Sequence, residues 1–307
     1  MQKEKMPVRG VVSTVITPFT EDNRIDFEDL AKEINLGSDS GIFGFLCPCG
    51  AMESRWMNEE EKSAMVIETV RAAAGRTNII SGVMAYEHDL RMKQCEEYMN
   101  AGVDALCLNL PYREDFTVED YLQAVADLDS FKPKFILLQD SGIGNDGLPL
   151  EYLVRAFEEY ETVRAAKIEV QNSEAKYTRV IEATGGRMNI WGGFGNPASI
   201  EAYDRGVIGM MPSGLFRIYQ TINDLYFEKG RAAAYRFFDA AAPILLQIYA
   251  GARLGHYFHK EYFKRLGIFK TTVMRQPSYL DSYRLRICNE IVDKALALES
   301  RIDEFWE

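Results

Sequence analysis

No stretch of this chain approaches the roughly 20 consecutive apolar residues of a membrane-spanning helix, so no membrane span is expected. The opening Met-Gln-Lys-Glu-Lys-Met has no apolar h-region, so no signal peptide is expected there. A basic stripe is also missing. Lys and Arg number 35 against 46 Asp and Glu, giving a net charge of −11, which disfavours nucleic-acid partners. The cysteines are few and scattered: Cys47, Cys49, Cys95, Cys107 and Cys288. An odd, dispersed set argues against a disulfide framework and for reduced thiols in a cytoplasmic protein. Cys47-Pro48-Cys49 lacks the two-residue gap of a redox motif and has no nearby partners for zinc. The only histidines are His88, His256 and His259. The last two lie three apart in an aromatic-rich segment, where packing or surface placement is expected rather than metal ligation. No metal is therefore expected. Finally, no Gly-rich phosphate turn follows the first apolar run, which counts against the runner-up fold, a doubly wound open sheet.

What is present is a repeated unit. Apolar runs of strand length recur at Gly10–Thr17, Gly41–Pro48, Asn78–Met84, Ala105–Leu110, Lys134–Gln139, Val163–Val170, Met188–Gly192 and Gly206–Met211. Several are unbroken, as parallel strands buried on both faces should be. Helical patterns with readable caps lie between them. Asp26 precedes Phe27–Leu36, and Asn58 precedes three glutamates and a helix reaching Gly75. Thr117 opens a segment ending at Leu128, and Asn172 opens one ending at Gly185-Gly186. Asn196 with Pro197 opens another. Eight strands, each followed by a helix, predict an α/β fold of the (β/α)8 barrel type over residues 1–230. Beyond Gly230 the pattern is helical throughout: Arg231–Ala252, His256–Leu266 and Ser278–Phe305. This predicts a small C-terminal three-helix domain over residues 231–307.

Lys167 stands near the end of the sixth run, Val163-Arg-Ala-Ala-Lys-Ile-Glu-Val170. A buried lysine needs a reason, since the ammonium is strongly hydrated. Burial lowers its pKa, to about 7–8 in sites that use the free amine as a nucleophile. The plain alternative is a side chain that snorkels to solvent. In a barrel the active site lies at the C-terminal ends of the strands. That rim gathers Ser13 and Thr17, Cys49 to Glu53, Asn109 to Arg113, Gln139 with Asp140, Lys167 with Glu169, and Gly192-Gly193. Lys167 and Glu169 are two apart on one strand and so point the same way. Together they could form an imine and move protons; otherwise Glu169 simply keeps Lys167 charged.

The ordered motifs resemble the dihydrodipicolinate synthase and N-acetylneuraminate lyase superfamily of Schiff-base barrels over nearly the whole chain. They are Gly10-Val-Val-Ser-Thr-Val-Ile-Thr-Pro-Phe19 with Ile25-Asp26, then Glu53-Ser54 through Asn58-Glu-Glu-Glu-Lys62. Ala101-Gly-Val-Asp-Ala105, Pro111-Tyr112, Lys167 and Arg275-Gln-Pro277 follow. The resemblance implies that Lys167 forms the imine, with no cofactor, on a small-molecule 2-oxo acid. It also implies a homotetramer built as a dimer of dimers; aromatic residues in Tyr219–Phe238 and Tyr249–Phe269 are compatible with such interfaces.

Departures from the pattern are just as informative. The family's Gly-Thr-Thr-Gly-Glu loop reads Cys49-Gly50-Ala51-Met52-Glu53 here, although backbone N–H groups of Gly50 and Ala51 could still hold a carboxylate. The strand-five tyrosine falls at Gln139 and the second loop tyrosine at Arg113, while Gly144 stands about where a true synthase keeps its substrate arginine. The Gln-Asp end of strand five with Lys-Ile-Glu on strand six resembles the 2-keto-3-deoxy sugar-acid dehydratases of this superfamily. The chain is therefore expected to be a dehydratase or aldolase acting on such an acid. Lys167, Glu169 and Gln139 form its expected catalytic set. Gly50, Ala51, Tyr112, Arg113, Asp140, Gly192 and Gly209 are its expected substrate-binding positions. Alternatives are a dihydrodipicolinate synthase-type condensation and a non-catalytic member that only binds a small ligand.

Overall fold

The computed structural model describes residues 3–142, 146–193, 198–249, 254–277 and 280–307. Eight parallel strands follow one another around a single sheet in chain order. They are β1 (Val12–Thr14), β2 (Gly44–Leu46), β3 (Asn78–Val83), β4 (Ala105–Leu108), β5 (Phe135–Gly142), β6 (Val163–Val170), β7 (Asn189–Gly192) and β8 (Gly209–Met210). The last strand returns to the first. Gly10 N–H donates to Ile208 O at 3.1 Å and Thr14 N–H to Pro212 O at 2.8 Å. This is the predicted (β/α)8 barrel. Its strands are mostly buried and apolar because one face meets the barrel interior and the other the helices.

The helices begin where side chains satisfy their first N–H groups. Asp26 accepts from Glu28 N and Asp29 N to open Phe27–Asp39. Asn58 and Glu61 cap each other's backbone at the start of Glu59–Ala73, and Thr117 and Asp120 do the same for Val118–Asp129. Asn172 holds the N-cap position of Ser173–Ala183, but its side chain makes no capping bond. The opening of a helix at Asn196-Pro197 falls outside the described residues; the helix itself is described from Ser199.

Past Gly230 the chain forms helices Arg231–Tyr249, Leu254–Arg265 and Ser282–Glu299, then a 3-10 turn at Ile302–Phe305. The expected ends at Ala252 and Ser278 lie outside the described residues. Tyr219, Phe237, Phe258, Tyr262 and Phe263 are buried within this one chain. Among the described residues no helix is long and apolar enough to cross a membrane.

Candidate active site

The side-chain period of two on β6 puts Lys167 and Glu169 on the barrel's inner face. Lys167 is 4% exposed, and its Nζ lies 3.0 Å from Glu169 Oε2. Its register partner on β5 is Gln139, whose Nε2 donates to the same carboxylate oxygen at 3.1 Å. The three residues expected to carry catalysis therefore form one hydrogen-bonded group. Trp191, the β7 register partner of Lys167, is fully buried and reaches Gly10 O (2.9 Å) and the Phe43 ring, closing the interior around it.

The direction of the lysine's pKa corrects the sequence reading. Burial is the largest single influence and pulls it down, but the charge and hydrogen bond of Glu169, with Cys49 and Cys107 behind them, together outweigh it, so the net shift is upward from 10.5. The resting amine is a protonated partner of Glu169 rather than a free base.

A cavity of about 450 Å3 opens above this group. Its lining includes Lys167, Glu169, Gln139, Gly50, Ala51 and Tyr112. The volume lies within the about 300–1,000 Å3 typical of small-molecule sites. Gly50 faces open space, with no atom within 4 Å of where a Cβ would stand. Thr14, Cys49, Asn109 and Ser141 complete the polar wall, with Arg55 among the lining residues. Burial pushes the Cys49 thiol up to about 11, against the pull of Lys167 and of the Met52 and Ala51 backbone. Among the described residues no group of three or more His, Cys, Asp or Glu is placed to hold a metal ion.

Ser141 and Arg55 had no weight in the sequence reading. Strand five is expected to end at Gln139-Asp140, but β5 continues to Gly142, and the same period that turns Gln139 inward also turns Ser141 inward, opposite Glu169. Arg55 sits in a 3-10 turn, Ser54–Trp56, where no periodic signal exists.

Four expected substrate-binding positions lie elsewhere. Asp140 falls on the outer face of β5, fully buried, where it pairs with Lys176 at 2.6 Å and accepts from Leu148 N at 2.7 Å. Its carboxyl is pushed up by burial, and Lys176 only partly offsets this. Arg113 binds Asp115 (Nε to Oδ1, 2.9 Å) and covers the Tyr86 and Phe116 rings instead of lining the cavity. At Gly192 an added Cβ would strike Met210 and Tyr177, so that position faces the helices. One residue on, a Cβ at Gly193 would strike Glu169, so the alternation turns the second glycine, not the first, toward that carboxylate. Gly209 is where β8 passes β1, with a Cβ position 1.9 Å from Gly10 O. On β1, Thr14 lines the cavity, while Ser13 and Thr17 do not. Gly144, the expected place of the absent arginine, is outside the described residues.

The loop carrying Gly50 and Ala51 is held from two sides. Thr17 Oγ1 donates to Met52 O at 2.7 Å from the barrel. From the other side, the buried Glu53 accepts from Lys260 Nζ at 3.3 Å and from Arg275 N at 3.0 Å. Lys260, on helix Leu254–Arg265, also donates to Val273 O at 2.6 Å and lies over the Phe19 ring. Burial pulls its pKa down to about 8, against the pull of Glu53. Arg275 grips Glu61 through two nitrogens at 2.7 Å. His256, one turn before Lys260, is close enough to feel Glu53 and the Ala51 backbone, and burial lowers its pKa. His259 is buried, with its pKa pulled down to about 3 by desolvation.

A family model described as the dihydrodipicolinate synthetase family matches residues 7–279. The 4-hydroxy-tetrahydrodipicolinate synthase of Sorangium cellulosum (strain So ce56) is 29% identical over 110 residues, which are 35% of this chain and 36% of that protein. The first curated relatives are matched over 36–54% of their own length. Among solved structures, the 4-hydroxy-tetrahydrodipicolinate synthase of Methylacidiphilum fumariolicum SolV gives a TM-score of 0.86 at 17% identity, over 98% of this chain and 100% of that one. The N-acetylneuraminate lyase of Fusobacterium nucleatum gives 0.82 at 16% identity, over 93% and 98%. At these identities the structural matches speak for the fold. The family match runs from the residues before β1 to beyond Arg275, through every strand that builds the cavity, and the chain belongs to the dihydrodipicolinate synthetase family.

Proposed function

We propose that this protein is a Schiff-base lyase, a dehydratase or aldolase acting on a 2-keto-3-deoxy sugar acid through Lys167. The observation that carries this reading is the Lys167–Glu169 pair, 3.0 Å apart at the base of the cavity. The pair explains how a charged lysine becomes a nucleophile. Its proton passes along the existing hydrogen bond to Glu169, and the freed amine adds to the C2 carbonyl. Glu169 returns the proton as water leaves, giving the iminium. The iminium then accepts an electron pair from C3: Glu169, again a carboxylate, takes a C3 proton and passes it to the C4 hydroxyl, which leaves as water, or it takes the C4 hydroxyl proton as the C3–C4 bond breaks to release an aldehyde. Gln139 orients Glu169 but cannot itself move a proton at neutral pH.

A condensation of the synthase type is the second reading, favoured by the family's own name. Against it stand Gln139 in place of a relay tyrosine and Arg113 turned onto Asp115. Assembly as a tetramer, implied by the resemblance, belongs to the proposal and is read by light scattering.

The test is borohydride reduction in the presence of pyruvate or a 2-keto-3-deoxy acid, followed by peptide mass spectrometry. A reduced adduct on Lys167 is expected, and Lys167→Ala should lose both adduct and turnover while staying folded. A protein that never traps a 2-oxo acid, or a fully active Lys167→Ala, would sink this reading.

A further inference from the structure

Two cations line the cavity among the described residues, and the proposed chemistry uses only one of them. Lys167 is buried beside Glu169, whereas Arg55 is exposed, at the mouth. Most arginines of this acidic chain have found a carboxylate. Arg113, Arg155, Arg205, Arg265 and Arg275 are each paired with Asp or Glu. Among the described residues Arg55 has no hydrogen-bond or ion-pair partner. Its guanidinium is thus an unspent, planar donor facing a small-molecule cavity, suited to carboxylate or phosphate. A net charge of −11 repels anionic substrates at a distance, so a local cation at the mouth has a further use. A second group in the wall is also unspent. Asn109 lines the same cavity, and among the described residues its buried Oδ1 has no hydrogen-bond partner. An acceptor left so costs free energy until a donor such as a substrate hydroxyl arrives.

We infer that Arg55 is a specificity-determining residue that receives a second anionic group at the far end of the substrate, with Asn109 taking a hydroxyl between. The substrate class is then a hydroxylated 2-oxo acid ending in a carboxylate or a phosphate. This rests on the imine reading in one respect: C2 must reach Lys167 at the base, which puts C1 beside it and leaves the opposite end of the chain at the exposed cation.

Three probes of similar length separate the possibilities: 2-oxopentanoate, 2-oxoglutarate and 2-oxo-4-phosphonobutanoate. Half-saturation of borohydride trapping on Lys167 is measured for each. The doubly anionic probes should saturate at concentrations at least about tenfold lower than 2-oxopentanoate, as a charge-assisted hydrogen bond allows. The better of the two identifies carboxylate or phosphate as the terminal group. In Arg55→Gln the ratio should fall to within about twofold, and Arg55→Lys should keep part of it. The wild-type ratio should also shrink as salt is raised. Absence of a preference in the wild type, or a preference that survives in Arg55→Gln, overturns the assignment. So does equal weakening of all three probes, which would make Arg55 the partner of C1. Should no probe and no pyruvate trap at all, the imine reading has failed by itself. Calorimetry of glutarate against pentanoate, on wild type and Arg55→Gln, then decides Arg55 by the same ratio.

Discussion

At the scale of single residues, Glu169 holds Lys167 in its protonated form, and that has a kinetic signature. Trapping of pyruvate should accelerate with pH well above neutrality, because the free amine is scarce until then. Glu169→Gln removes the strongest influence opposing burial, so the lysine should fall and the alkaline limb should move to lower pH by about one unit or more. Turnover should drop all the same, on the order of 100-fold, because the group proposed to shuttle protons is gone. A limb that stays in place would mean that Glu169 does not govern Lys167. The sign for stability is separate. A folded pKa raised above 10.5 means the group's contribution is complete below that value and lost as pH climbs through the folded one.

At the scale of elements, helix Leu254–Arg265 props the Gly50–Met52 turn through Lys260 and Glu53. Lys260→Met leaves Glu53 buried with only the Arg275 N–H and should cost about 3–5 kcal/mol. The double variant Glu53→Gln, Lys260→Met should recover most of that, and urea midpoints measure both. Lys260 also makes a pH prediction. The folded group loses its proton near 8 and the unfolded one near 10.5, so between those values the unfolded chain binds more protons and this group's contribution to stability rises with pH.

These contacts show where sequence reading stops. Period two and period 3.6 displayed the strands, the caps at Asp26, Asn58 and Thr117, and the inward pair on β6. The same alternation would have placed Asp140 outside and Ser141 inside had the end of β5 been visible, but strand ends carry no periodic mark. Arg55 and Lys260 were silent for another reason. Arg55 sits in a short turn with no repeating pattern, and the meaning of Lys260, inside a readable helix, lies in its contact with Glu53, more than 200 positions away.

At the scale of the whole molecule, the ring of strands depends on a close approach. Gly209→Ala would push a methyl carbon onto Gly10 O, where β8 meets β1, and should lower stability by about 3 kcal/mol, the upper range for overpacking. Gly50→Ala, with open space around its Cβ position, should change stability by no more than about 0.5 kcal/mol. Equal denaturant midpoints for the two variants would contradict this view of how the ring closes.

The turn at the rim is gripped by residues more than 200 positions downstream, and this bears on timing. While the chain is being made, strands one to eight leave the ribosome before Lys260 and Arg275 do. Until those two emerge, Glu53 has neither of its partners. The proposed imine chemistry would therefore be among the last properties a nascent chain acquires, and chains arrested near Gly230 should trap no 2-oxo acid however well their strands have paired.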